Sequence, residues 1–121
     1  MARPGHLEVK VERSSDGSAT VVRVDGDLDM ATSPELVEAL EGADPGKRTV
    51  IDLSGCTFLD SSAVRVLIAT ARAAESAGGD VSLVTKDAGL LRVLEIASLD
   101  AMLPVHETVE SAGIRKAPRE P

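Results

Sequence analysis

The sequence predicts an α/β domain in which a mixed β-sheet opens with a hairpin and is covered by about four helices. Three observations lead there. Leu7, Val9 and Val11 alternate with Glu8, Lys10 and Glu12, the period of a half-buried strand. Val64, Leu67, Ile68 and Ala71 fall at i, i+3, i+4 and i+7, one stripe of an amphipathic helix. After the hairpin, helical segments alternate with short apolar runs, the order of a sheet covered by helices.

Taken in order, the first strand turns at Ser15-Asp16-Gly17-Ser18, and Val21-Val22-Arg23-Val24 returns as its antiparallel partner. Thr32 or Ser33 is the expected cap of the first helix. Pro34 suits its first turn, and Glu35, three residues after Thr32, supplies a capping box. Leu36, Val37 and Leu40 form its expected buried face. Gly42 to Arg48 reads as a loop, and Thr49-Val50-Ile51-Asp52-Leu53 as a central strand. The second helix runs from about Ser61 to Ala77 and stops at Gly78-Gly79.

Val81 to Thr85 is the next strand. A third helix spans about Ala88 to Ala97, with Leu90, Leu91, Val93 and Leu94 facing inward. Met102 to Val105 reads as a weak last strand and Glu107 to Ala112 as a short final helix. One domain is expected over residues 1–121, with its core at about 7–112 and a flexible tail over 113–121.

Composition narrows the function. With 121 residues, one ordinary hydrophobic core suffices, and neither metal nor cofactor is called for. Cys56 is the sole cysteine, which removes disulfide frameworks and Cys-based zinc sites and suits a reduced, cytoplasmic setting. The opening residues have no apolar signal region, and no stretch reaches the length of a membrane span. A net charge of −7 opposes broad contact with nucleic acid, and Phe58, the one aromatic residue, offers no stacking platform.

The segment Phe58-Leu59-Asp60-Ser61-Ser62-Ala63-Val64 carries the most chemistry, because it joins a buried strand to an amphipathic helix. Asp60 is placed to cap the helix, which puts Ser61 and Ser62 in the first turn, where the helix dipole tolerates negative charge. Read by itself, Asp-Ser-Ser is a good N-cap and nothing more. Arg65, Ala69 and Arg72 lie on the outward face of the same helix, as a solvated face or as contacts to an acidic partner.

Two segments carry a resemblance. Val24-Asp25-Gly26-Asp27-Leu28-Asp29 before a capped helix, and Val50-Ile51-Asp52-Leu53 before Phe58-Leu59-Asp60-Ser61-Ser62, resemble the motifs of the STAS domain. That family is shared by sulfate transporters and anti-sigma factor antagonists, and the likeness covers about residues 7–112. It implies a non-enzymatic cytoplasmic switch that binds an anti-sigma factor, itself a serine kinase, and so frees a sigma factor. It further implies that the kinase phosphorylates Ser61, with Ser62 the second choice, and that a PP2C-type phosphatase resets the switch. Asp27, Asp29, Asp60, Ser62, Ala63, Arg65, Ala69 and Arg72 are the expected partner-contacting residues. The family often has Gly where this chain has Ala63.

Other readings fit less well. Leu59-Asp60-Ser61-Ser62-Ala63 lacks the glycines of a nucleophile elbow, and nothing in the sequence brings His6 or His106 to Ser61. No Walker A motif is present. A phosphoacceptor-aspartate domain could draw on Asp25, Asp27, Asp29, Asp60 and Thr85-Lys86, yet such domains open with a strand-helix unit and not a hairpin. A STAS fold used as an unphosphorylated scaffold or transporter companion stays open at this point.

Overall fold

A computed structural model of the chain describes residues 7–113; the arm with His6 and the expected tail from Ile114 lie outside the described residues. Five strands form one sheet: β1 (Glu8–Arg13), β2 (Ala19–Asp25), β3 (Arg48–Gly55), β4 (Asp80–Val84) and β5 (Val105–His106). They lie side by side in chain order, β1 antiparallel to β2 and the other neighbours parallel. Four helices intervene: α1 (Ser33–Glu41), α2 (Ser61–Ala77), α3 (Ala88–Ile96) and α4 (Leu99–Met102).

The opening hairpin follows from its turn. The Asp16 carboxylate accepts from the Ser18 hydroxyl at 2.6 Å, the Ser14 hydroxyl at 2.8 Å and the Ser18 amide at 3.0 Å. These bonds, the Ser18 hydroxyl foremost, lower its pKa to about 2. Gly17 takes the left-handed conformation, φ +73°, that the reversal needs.

Alternation along the strands gives the sheet two different faces. Val22, Val24, Ile51, Leu53, Val81 and Leu83 point toward the helices and pack with Leu36, Leu67, Leu90, Leu94 and Leu99 in the main core. Val21, Val50 and Val84 point the other way and are sealed by Val109 and Ala112 from the final turn. β1, an edge strand, is less buried than its alternation predicts, and Val11 is exposed.

The end of α2 is set by Gly78 at φ +85°, whose amide bonds back to Ala74 and Glu75. Gly79 then threads so close to the Pro45 and Lys47 carbonyls that a Cβ there would strike backbone. Other expectations shift. Val37 and Leu91 lie at the surface of their helices, outside the packed layer. Only Leu67 of the predicted α2 stripe is fully buried; Val64, Ile68 and Ala71 flank it, and Ala63 and Ala74 complete the buried line.

Residues 99–102 are helical, so the last strand shrinks to Val105–His106. Pro104 has no amide to donate; its carbonyl accepts from Leu83 at 2.9 Å, and pairing begins there. The final helix is a single 3-10 turn, Glu110–Ala112. No helix among the described residues is long and apolar enough to cross a membrane.

Candidate functional site

Parallel β2 and β3 end together, and the two loops that leave them continue to pair. The Gly26 amide bonds the Gly55 carbonyl, Leu28 bonds Phe58, and Asp60 bonds back to Leu28, each at 3.0 Å. Leu28 and Leu59 form a one-residue parallel bridge and are both buried, which anchors the crossing to the core. A Cβ on Gly55 would strike the Asp25 carboxylate and come within 3.2 Å of the Asp25 Cα, so the two strand ends approach closely here.

The bridge fixes Asp60 at the start of α2. With extended backbone, φ −104° and ψ −175°, its carboxylate accepts from the Ser62 amide at 2.9 Å and the Ala63 amide at 3.2 Å. The Ser62 hydroxyl adds a third bond at 2.5 Å and lies 3.3 Å from the Ser33 hydroxyl of α1. The Asp60 carboxyl is thereby held below its ordinary range, chiefly by the Ser62 hydroxyl, with the Ala63, Ser62 and Met30 amides acting in the same direction. Ser61, between them, is exposed, and its side chain makes no hydrogen bond among the described residues. Ser62 is the tethered serine and Ser61 the free one.

The facing loop is organised from within. The Asp29 carboxylate accepts from the Ala31 amide at 2.9 Å and the Thr32 amide at 3.0 Å. The Thr32 hydroxyl donates to the Asp27 carbonyl at 2.6 Å, so Thr32 turns back into the loop and forms no side-chain cap on α1. The expected capping box is absent for that reason. Asp29 shapes the loop, and Asp27 keeps an exposed side chain.

Of the other expected contact residues, Ala63 is fully buried. It packs under α2 and does not reach the surface, which corrects its place among the partner contacts. Arg65, Ala69 and Arg72 are exposed, and Arg65 and Ala69 border a groove of about 490 Å³ between α1 and α2. Two exposed apolar residues were not among the contact residues expected from the sequence: Met30 is 78% exposed and Phe58 50%. Bulky apolar side chains inside polar loops were the available signal. Cys56 is buried against the Phe58 carbonyl, and burial pushes its thiol up, away from nucleophilic use.

Among the described residues the rival chemistries find no assembly. His106 sits on the edge strand β5, in a cleft with Thr85 and Glu107. Asp25 pairs with Arg23 at 3.8 Å, Asp29 is committed to its loop and Asp60 to its helix. No group of three or more metal-ligating side chains gathers among the described residues.

A family model described as "Mlab, STAS domain" matches residues 11–104. The chain belongs to the STAS domain family. This STAS domain is 33% identical over 99 residues to the anti-sigma-F factor antagonist RsfA of Mycobacterium tuberculosis, covering 78% of this chain and 77% of that protein. An anti-sigma factor antagonist from Mycobacterium paratuberculosis superposes with a TM-score of 0.81 at 28% identity, over 93% of this chain and 95% of its own. The Bacillus cell fate determinant SpoIIAA, solved in its phosphorylated form, shares the fold at a TM-score of 0.65 and 20% identity, over 87% of this chain and 96% of its own. The anti-sigma factor antagonist SpoIIAA in its unphosphorylated form superposes at a TM-score of 0.68 and 22% identity, over 87% of this chain and 92% of its own.

Proposed function

We propose that this STAS domain is an anti-sigma factor antagonist whose partner docks over the start of α2, and that phosphorylation of Ser61 ends the docking. The observation that carries the reading is the free Ser61 hydroxyl on a helix start already capped by Asp60, with exposed Met30 and Phe58 on the adjoining loops. The name of the Mycobacterium tuberculosis relative supports the class of partner. The two forms in which SpoIIAA has been solved support a phosphate being accepted without loss of the fold.

The chemistry asked of the chain is small. A serine-kinase anti-sigma factor transfers the γ-phosphoryl group of ATP to the Ser61 oxygen, which loses its proton as the new P–O bond forms and the bond to ADP breaks. The chain supplies an acceptor and a docking surface and no catalytic group. The product adds about −1.5 to −2 charges at pH 7 where the helix dipole favours them, so the core is undisturbed. A partner pressed onto Met30 and Phe58 meets a desolvated dianion and leaves. A PP2C-type phosphatase restores the hydroxyl by hydrolysis.

Ser62 is a poorer acceptor, because its hydroxyl is already engaged by Asp60. The test uses the unmodified chain, its anti-sigma kinase and labelled ATP. Ser61→Ala removes the label and keeps the complex; label persisting on Ser61→Ala overturns the site assignment.

A further inference from the structure

We infer that Arg65 is the internal acceptor for a phosphate on Ser61, so that the modification both adds charge and withdraws a cation from the docking face. The inference rests on the reading of Ser61 as the modified residue. α2 is helical without interruption from Ser61 to Ala77, which puts Ser61 and Arg65 one turn apart on one face. Both are exposed.

Helical side chains lean toward the N-terminus, a direction that lets an arginine at position 65 reach back to the turn that Ser61 begins. An acidic group four residues before a basic one is the favoured order for such a pair. The guanidinium fork matches phosphate oxygens with two parallel hydrogen bonds, where a lysine offers only a point charge.

The surroundings leave Arg65 available. The ion pairs among the described side chains are Arg23 with Asp25 and Arg48 with Asp80, and neither involves α2. Glu41 borders the same groove from α1, and Glu38 stands one turn before it. Asp60 is engaged by amides and the Ser62 hydroxyl, Asp29 by its own loop, and Asp27 is solvated. Arg72, the other cation of α2, lies about three turns along and does not serve Ser61. In the unmodified protein Arg65 faces a partner's acidic groups; in the phosphorylated protein it is turned back along its own helix.

The experiment places phosphoserine at position 61 during translation, so that no kinase is needed, and follows the phosphate by ³¹P NMR across pH. Arg65→Ala is expected to raise the proton affinity of the phosphate by about two- to threefold, Arg65→Lys by less, and Arg72→Ala not at all. Far-UV circular dichroism checks that each variant keeps its helices. Superimposable titrations for the parent and a folded Arg65→Ala overturn the pairing. The titration contains no partner and reads the pairing alone; failure of the unmodified chain to bind an anti-sigma factor in a separate binding assay would overturn the antagonist reading and leave the pairing in place.

Discussion

The Ser62 hydroxyl joins two helix starts: it donates to Asp60 at the cap of α2 and lies 3.3 Å from the Ser33 hydroxyl in the first turn of α1. Neighbouring serines in the sequence therefore do different work. Ser62 holds the site together, and Ser61 is left exposed with a hydroxyl unengaged among the described residues.

Ser62→Ala separates these roles. The variant loses a partly buried side-chain hydrogen bond, and stability is expected to drop by about 1 kcal/mol, read as the midpoint of urea unfolding. Labelling by the kinase continues at Ser61. Disappearance of the label with Ser61 intact would make Ser62 the acceptor.

Ser61→Asp is expected to weaken partner binding by about tenfold or more, since a carboxylate then opposes the partner across a desolvated contact. The melting temperature should hardly move, because the charge sits at a helix N-terminus. Calorimetry and a thermal melt on one sample decide the matter; a large fall in melting temperature at unchanged affinity contradicts the proposal.

Met30→Ala and Phe58→Ala are each expected to cost more than about 1 kcal/mol of binding, as large apolar side chains at the centre of a contact do. Both are exposed, so folding should be unaffected. Surface plasmon resonance with the anti-sigma factor reads the result. Undiminished affinity in both variants moves the docking face elsewhere.

Acid sensitivity follows from Asp60 and Asp16. Their folded-state pKa values lie below the ordinary 3.8, that of Asp16 at about 2. Each group contributes stability above the unfolded value and loses it as pH falls through the folded one. Urea midpoints should therefore decline below about pH 4. Asp60→Asn keeps an oxygen for the cap but does not titrate, so its decline should be shallower than the parent's. An identical slope would mean that Asp60 contributes nothing to the linkage.

Much of the fold was written locally. The turn at Ser15-Asp16-Gly17-Ser18, the stop at Gly78 and the span of α2 depend on contacts within a few residues, and all appear as expected. Short elements near the C-terminus were not legible. Leu99 to Met102 is too short to show a helical period, and a strand of two residues shows no alternation.

What the sequence determined on its own is the inventory of the site: a capping aspartate, two serines in a first turn and an outward arginine four residues on. What only the tertiary structure decided is which of them stays exposed and which is tied into the loops. The Leu28–Leu59 bridge swings the β2 loop beside α2, buries Ala63, exposes Met30 and Phe58, and brings Ser33 to Ser62. Periodicity encodes which side of an element is apolar. It carries no record of contacts between residues some thirty positions apart, because those are set by the register of two parallel strands.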